Sequence, residues 1–172
     1  MGKVRLGVVG IGNMGQSHAN YLSKGEVQGA ELTAVFDLVE ERLQAAKEKW
    51  GEQLQTYNDL DAFLQSGAID AILIATPHYS HAEIAIKAFE QGLHVLCEKP
   101  AGVYTKQVRE MNEAAAASGK VFSMMFNQRT NPLYQKLREL IQTGELGEVR
   151  RINWIITDWY RPQSYYDSGA WR

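Results

Sequence analysis

Short apolar runs recur along the first 124 residues, and segments with helically spaced apolar positions separate them. Runs that are rich in β-branched residues and bounded by glycine, proline or polar residues predict buried strands. The predicted strands cover residues 4–9, 32–36, 55–57, 69–75, 93–97 and 121–124. The predicted helices cover residues 14–24, 39–50, 59–65, 105–118 and a segment that Ser80 opens and that runs through Glu90.

Two features support these helices. Leu43, Ala46 and Trp50 share one face of the second helix. Ser80 precedes Glu83 by three residues, which is the spacing of a capping box. Short buried strands that alternate with helices predict an α/β fold, in which helices cover both faces of a parallel sheet. Two such halves in succession predict a doubly wound parallel sheet with strand order 3-2-1-4-5-6 over residues 1–124.

The pattern changes over residues 125–172. Asn131 followed by Pro132 predicts a helix start, and Gly144 closes the helix that follows. The apolar stripe of this helix consists of Leu133, Leu137, Leu140 and Ile141.

Residues 148–160 form one long strand candidate, with Ile152, Trp154 and Ile156 on one face. No later segment offers it a partner, and an unpaired apolar strand invites association. We therefore interpret residues 125–172 as a linker helix and the first strand of an incomplete second α/β domain. Whether the natural reading frame continues beyond Arg172 is left open by the sequence, and this observation would be the most informative one.

Composition narrows the function. Hydrophobic residues make up 45% and charged residues 22% of the chain, as in soluble globular proteins. The net charge of −2 gives no electrostatic support for binding nucleic acid or a membrane surface. Cys97 is the only cysteine, so no intramolecular disulfide forms. With no signal-peptide pattern and no apolar run of membrane-spanning length, we expect a cytoplasmic protein.

The first strand leads into a GxGxxG pattern, Gly10-Ile11-Gly12-Asn13-Met14-Gly15, and the pattern opens a helix. This context is typical of a Rossmann-type dinucleotide-binding fold. Gly10 allows a tight turn, Gly12 lets the backbone approach a pyrophosphate, and Gly15 lets helix and strand pack closely. The helix N-terminus then offers free N–H groups and a positive dipole to phosphates.

Asp37 follows the second strand, where a ribose-binding carboxylate is expected. It would accept hydrogen bonds from ribose hydroxyls and repel a 2′-phosphate. Leu38 and Val39 come next, with no arginine or serine to hold that phosphate, so the sequence favours NAD over NADP. The alternative is a structural glycine turn beside a solvated aspartate.

Ligands of an open parallel sheet sit beyond the carboxyl ends of its strands. Three of these ends carry Ala75-Thr76-Pro77-His78, Cys97-Glu98-Lys99-Pro100 and Phe126-Asn127-Gln128-Arg129. Oxidation of an alcohol requires a group that takes the hydroxyl proton, and an amine beside the oxidised nicotinamide could do this. Lys99 is our candidate for that group, and Glu98 would orient Lys99 or bind the cofactor. The alternative is a surface Glu-Lys pair before a proline turn.

The run Leu93-His94-Val95-Leu96-Cys97-Glu98-Lys99-Pro100 resembles the Gfo/Idh/MocA oxidoreductase family, which includes glucose–fructose oxidoreductase and inositol dehydrogenases. The likeness extends along essentially the whole chain. Its other parts are the glycine pattern, Ala75-Thr76-Pro77, His81, Arg129, Pro132, and Leu140-Ile141 followed by Gly144-Glu145-Leu146-Gly147.

The resemblance implies a role for each matching residue. Lys99 would contact the substrate and act in catalysis with Glu98, which would lie near the nicotinamide. Asn127 and Arg129 would border the substrate pocket, and the Lys99–Pro100 bond would be cis. The implied cofactor-binding set is Gly10, Ile11, Gly12, Asn13, Met14, Gly15, Asp37, Ala75, Thr76, Pro77, His81 and Glu98.

The resemblance also implies a second domain with further catalytic residues and the usual oligomer interface. We find no equivalent in this sequence. We therefore expect the chain alone to bind the cofactor without turnover, and we expect a homo-oligomer once that domain is present.

Histidines and Cys97 raise other possibilities. His78 and His81 have a close spacing, but no second close pair of ligands accompanies them, so we predict no metal site. We interpret His18 as a helix–loop contact and Cys97 as a small core residue.

The leading hypothesis is an NAD-dependent oxidoreductase that acts on a secondary alcohol or ketone of a sugar, cyclitol or related polyol. A non-catalytic dinucleotide-binding module or subunit is the alternative, and a fragment of a longer enzyme is a third reading. The sequence leaves the substrate, the reaction direction and the oligomeric state open.

Overall fold

A computed structural model describes residues 2–157 and 160–167. A parallel six-stranded sheet has the strand order β3-β2-β1-β4-β5-β6, which confirms the predicted topology. The strands are β1 (Val4–Val9), β2 (Ala30–Phe36), β3 (Gln55–Tyr57), β4 (Ala71–Ile74), β5 (His94–Cys97) and β6 (Phe122–Met124).

The helices lie between the strands, and two more follow the last strand. They are α1 (Asn13–Ser23), α2 (Glu40–Trp50), α3 (Leu60–Leu64), α4 (His81–Glu90), α5 (Thr105–Ser118), α6 (Pro132–Gln142) and α7 (Gln163–Asp167). The chain divides into two compact units, Met1–Met125 and Phe126–Arg172.

Two apolar clusters cover the two faces of the sheet. On the α1–α2 face, Val8 and Leu73 pack with Leu43 and Ala46 of α2. The opposite α3–α5 face has its own cluster, whose members include Val9, Ile72, Ile74, Phe63, Phe89 and Met111. Because successive strand residues point to opposite faces, buried strands read as continuous apolar runs, which is why the strands were recognisable.

The order of the strands creates a crevice at one edge of the sheet. The central strand β1 pairs with β2 on one side and with β4 on the other, and Val9 is in register with Phe36 and Ile74. The chain runs outward from β1 in opposite directions in its two halves. The connections after β1 and β4 therefore diverge and leave a gap at the carboxyl ends of these strands.

The predicted capping box at Ser80 is wrong. Ser80 has a helical conformation and makes no side-chain cap, because a 3₁₀ turn, His78–Ser80, already precedes α4. The Ser80 hydroxyl lies instead 2.8 Å from Thr76 Oγ1 and 2.9 Å from the Pro77 carbonyl oxygen. The Ser80 hydroxyl thus donates within the turn, and with Ser80 in a helical conformation its oxygen accepts no capping hydrogen bond from the α4 amides.

In the second unit, the predicted helix start is confirmed. The Asn131 side chain accepts a hydrogen bond from the Leu133 N–H at 2.9 Å, and Pro132 occupies the first turn. The apolar stripe on α6 does not form a buried face among the described residues. Leu133, Leu137 and Ile141 are all exposed.

The long strand predicted over residues 148–160 is also wrong. Residues 148–157 are not in a strand, and residues 158–159 lie outside the described part of the chain. A strand needs the ladder hydrogen bonds of a partner, and no described segment pairs with this one. Trp154 stacks on Tyr134 with ring centroids 5.3 Å apart, so its alternation with Ile152 and Ile156 does not mark a sheet face.

Within the described residues, no helix combines the length and apolar composition that crossing a bilayer requires.

Phe63 provides a test of the α3–α5 face. Its ring has no exposed surface, and its centroid lies 6.1 Å from that of Phe36 and 5.7 Å from that of Tyr57. We expect Phe63→Ala to lower the free energy of unfolding by about 3–5 kcal/mol, through lost burial and a residual cavity. Urea denaturation followed by circular dichroism measures this. The exposed Tyr79→Ala is the control and should change stability by less than about 0.5 kcal/mol; equal effects of the two changes would contradict the assignment.

Candidate functional site

The glycine turn after β1 has the local geometry that the sequence predicts. Gly10 has φ +84°, and a Cβ at this position would lie 2.8 Å from the Thr76 side chain. A Cβ on Gly15 would collide with the Gly10 carbonyl oxygen. These two glycines thus let the first turn of α1 lie directly against the end of β1.

Gly12 differs from the other two glycines. A Cβ there would meet no heavy atom within 4 Å, so this side of the turn is open. Gly12 is the N-cap residue of α1, and no side chain at this position accepts a hydrogen bond from the first amides of the helix. The first turn of α1 also carries no acidic residue, which leaves its amides and its positive dipole available to an anion.

Asp37 lies beside this turn and is 5% exposed. Its Oδ2 accepts a hydrogen bond from the Ile11 N–H at 2.9 Å, and its Oδ1 accepts one from the Val39 N–H at 3.0 Å. The carboxylate thereby fastens the glycine turn to the end of β2. The Ile11 N–H is therefore already engaged by Asp37, and the Ile11 side chain is buried in the α1–α2 face.

Arg42 was missed by the sequence analysis. Its Nη1 lies 3.3 Å from Asp37 Oδ2, so an arginine does stand beside the predicted ribose-binding carboxylate. The two residues directly after Asp37, Leu38 and Val39, gave no sign of this arginine. Arg42 lies five residues after Asp37, in the first turn of α2, which begins at Glu40. Its place in that turn could have indicated a contact, because the turn lies close to the end of β2.

Glu98 follows β5 and is 6% exposed. Its Oε1 lies 2.8 Å from His18 Nε2, and its Oε2 accepts a hydrogen bond from the Lys99 N–H at 3.1 Å. The structure therefore brings the Glu98 carboxylate together with α1. His18 does make a contact with a loop, as predicted, but its partner is a buried carboxylate at the predicted site.

Lys99 is exposed, and the Lys99–Pro100 peptide bond is cis, as expected. The pKa of the His78 imidazole is lowered, first by burial and then by the positive charges of His81 and Lys99. The Lys99 ammonium thus lies close enough to the 3₁₀ turn after β4 to act on His78. A charge at the end of β5 therefore affects a titratable group in the turn after β4.

His81, the first residue of α4, connects the loops that follow β4 and β5. It is fully buried. Its Nε2 lies 2.8 Å from the Thr76 carbonyl oxygen, and its Nδ1 lies 2.8 Å from the Pro100 carbonyl oxygen. Since both partners are backbone atoms, His81 fixes the positions of two loops rather than presenting a group to a ligand. Ala75 and the 3₁₀ turn His78–Ser80 also lie after β4, and Ala75 packs against the α1–α2 cluster.

Cys97 is buried in the α3–α5 core, as predicted. Burial, and secondarily the neighbouring Glu98 carboxylate, raise the pKa of its thiol to about 12. It therefore stays a thiol and takes no part in chemistry at neutral pH.

Asn127 and Arg129 belong to the second unit, where a 3₁₀ turn, Asn127–Thr130, precedes α6. The Arg129 guanidinium lies over the Phe126 ring at 4.9 Å from its centroid. Their predicted contact with a substrate stays a prediction. Across residues 2–157 and 160–167, no group of three histidine, cysteine or acidic side chains is arranged to hold a metal ion.

Comparison with known proteins places this geometry in a family. The model of the Gfo/Idh/MocA oxidoreductase family, described by its NAD-binding Rossmann fold, matches residues 4–126. Inositol 2-dehydrogenase from Salmonella typhimurium is 28% identical over 96% of this chain and 51% of its own length. D-glucoside 3-dehydrogenase from Escherichia coli is 34% identical over 85% of this chain and 41% of its own.

Solved structures give the same picture. Scyllo-inositol dehydrogenase from Lactobacillus casei, with NAD(H) and scyllo-inositol bound, superposes with a TM-score of 0.80 and 28% identity over 85% of this chain and 43% of its own. The WlbA dehydrogenase from Bordetella pertussis, in complex with NADH and UDP-GlcNAcA, gives a TM-score of 0.87 and 29% identity over 99% of this chain and 48% of its own. The chain spans about half the length of the curated relatives it matches.

Gly15 and Gly12 form a matched pair of alanine substitutions. We expect Gly15→Ala to lower the free energy of unfolding by about 3 kcal/mol or more, because its Cβ would meet backbone that cannot move aside. Gly12→Ala should stay within about 1 kcal/mol of the parent, since its Cβ points into open space. Urea denaturation of both variants makes the comparison. Equal stabilities would mean that the close approach of α1 to β1 is not needed.

Proposed function

Because this chain belongs to the Gfo/Idh/MocA oxidoreductase family, we propose that it supplies the cofactor-binding part of an NAD-dependent oxidoreductase. The proposed enzyme transfers a hydride between nicotinamide and a secondary alcohol or ketone of a sugar, cyclitol or related polyol. One observation carries the proposal. The glycine turn and the Glu98–Lys99 strand end lie at the same edge of the sheet, joined by the 2.8 Å contact between His18 and Glu98.

The residues at this edge fit a dinucleotide. The open space beside Gly12 and the uncapped N-terminus of α1 suit a pyrophosphate. Asp37 is already fixed by the Ile11 and Val39 amides, so it would meet ribose hydroxyls without rearrangement. Thr76 and Pro77 would line the nicotinamide side. When bound, NAD supplies the hydride acceptor or donor.

Lys99 is the group that we assign to the proton. Its amine would accept the hydroxyl proton of an alcohol, or its ammonium would polarise a carbonyl oxygen in the reverse direction. Glu98 holds the Lys99 backbone amide, and His81 holds the Pro100 carbonyl. Hydrogen bonds therefore fix the backbone at Lys99 and at the following residue, Pro100.

The proposed substrate class follows the relatives, two of which are named as dehydrogenases of inositol and of a D-glucoside, while a third was solved with bound UDP-GlcNAcA. These compounds share a ring bearing secondary hydroxyl groups. Asn127 and Arg129 would border this substrate. We further propose a cytoplasmic homo-oligomer of the complete protein, with a small polyol rather than nucleic acid or membrane as its partner.

A non-catalytic dinucleotide-binding module is the alternative. It would use the glycine turn and Asp37 in the same way, and Lys99 would have no chemical role. The substitution of Lys99 separates the two proposals.

We expect Lys99→Met to lower kcat for polyol oxidation by about 100-fold or more, because the proton acceptor is lost. The protein encoded by the complete natural reading frame is used, and NADH formation is followed by absorbance. The Kd for NADH, measured by fluorescence, should change little. Lys106→Met on α5 is the control, since that lysine is largely exposed. An unchanged kcat in Lys99→Met would contradict the assignment of Lys99 to proton transfer.

The preference for NAD over NADP depends on Asp37 and Arg42. The buried carboxylate should repel a 2′-phosphate while it also occupies the guanidinium. We expect Asp37→Ser to raise the affinity for NADP relative to NAD by about tenfold, because a negative charge is removed and Arg42 becomes available.

Fluorescence titration with NADH and NADPH measures this ratio. Adding Arg42→Gln to Asp37→Ser should remove the gain for NADPH. A ratio unchanged by Asp37→Ser would place the adenosine ribose elsewhere.

A further inference from the structure

The contact between His18 and Glu98 crosses the crevice between the two halves of the sheet. His18 lies on α1, which follows β1, and Glu98 follows β5, while β4 lies between these two strands. A contact of 2.8 Å between them must therefore pass over the carboxyl end of β4. Ligands of open parallel sheets occupy this position.

The alternation of side chains along β5 explains why Glu98 points this way. Val95 and Cys97 belong to the α3–α5 core, whereas Leu96 packs against the α1–α2 face. Glu98 continues the alternation of Leu96, so its carboxylate extends towards α1. The Oε1 atom of Glu98 accordingly lies 2.8 Å from His18 Nε2 on α1.

The contacts of Glu98 define the proton positions. A carboxylate oxygen accepts hydrogen bonds, so the His18 nitrogen at 2.8 Å, Nε2, carries the hydrogen of this bond. The second oxygen accepts the Lys99 N–H. Both oxygens of the Glu98 carboxylate are therefore held by N–H donors. In the turn after β4, burial and then the charges of His81 and Lys99 lower the pKa of the His78 imidazole, which favours its neutral form.

We propose that His18 is a positioning residue that holds the Glu98 carboxylate across the end of β4, and that this fixed negative charge favours the oxidised dinucleotide over the reduced one. The proposal rests on the proposed function. The nicotinamide ring is positively charged in NAD⁺ and neutral in NADH, so a fixed negative charge close to it acts on one form only. His18 itself touches neither the reacting atoms nor the substrate.

The ratio of the two dissociation constants tests this. We expect Glu98→Gln to weaken the binding of NAD⁺ relative to NADH by about five- to tenfold, the size expected for one partly screened charge near the ring. Isothermal titration calorimetry with each form of the cofactor gives both constants without turnover. A purely structural role of Glu98 would weaken both forms equally and leave the ratio unchanged.

Two substitutions of His18 test the positioning role. His18→Leu removes the N–H donor, so the carboxylate loses its anchor and the ratio should move towards that of Glu98→Gln. His18→Gln retains an N–H donor and should keep most of the parent's ratio. The double variant His18→Leu/Glu98→Gln should show no further change beyond Glu98→Gln, because both substitutions remove the same charge effect.

Asp61→Asn is the matched control, since it removes one carboxylate from an exposed position on α3. Circular dichroism of each variant establishes that it is folded, and His18→Gln remains informative where His18→Leu does not fold. An unchanged ratio in Glu98→Gln would overturn the proposal and leave the dinucleotide site intact. Absence of any NADH binding by the parent chain would overturn the proposed function as well.

Discussion

The close approach of α1 to the end of β1 is the constraint on which the site depends. No side chain can stand between Gly15 and the Gly10 carbonyl oxygen, so the helix starts directly at the strand. Its N-terminus then faces the open side of the glycine turn, and its second turn carries His18 to Glu98. A helix displaced by the width of one methyl group would lose the contact that joins the two halves of the sheet.

The buried carboxylates Asp37 and Glu98 use the same construction. Each is almost inaccessible, and each accepts a hydrogen bond from a backbone amide at a strand end. Each also meets a basic side chain from a helix, Arg42 for Asp37 and His18 for Glu98. Partnered in this way, a buried carboxylate avoids most of the desolvation cost that isolation would bring. Each carboxylate is therefore fixed in position at its strand end.

Much of this arrangement could be predicted from the sequence, because the strongest signals are local. Continuous apolar strands, helical spacing and glycines at a strand end are each read within a dozen residues, and they determined the sheet order. The contact of His18 with Glu98 joins residues 80 positions apart, and no local pattern reports it. Arg42 was missed because helix geometry, not adjacency, brings it to Asp37. The strand expected over residues 148–160 failed for the same reason, since pairing depends on a partner and not on the apolar alternation of the segment itself.

Cys97 has a practical consequence for studying this protein. It is the chain's only cysteine, its side chain is fully buried, and the pKa of its thiol is about 12. A thiol-directed maleimide or spin label would therefore find no accessible competing thiol in the folded chain. A single cysteine introduced at any exposed position can be labelled selectively without first replacing the native one, so fluorescence or electron-spin reporters can be attached beside the crevice in an otherwise unaltered protein.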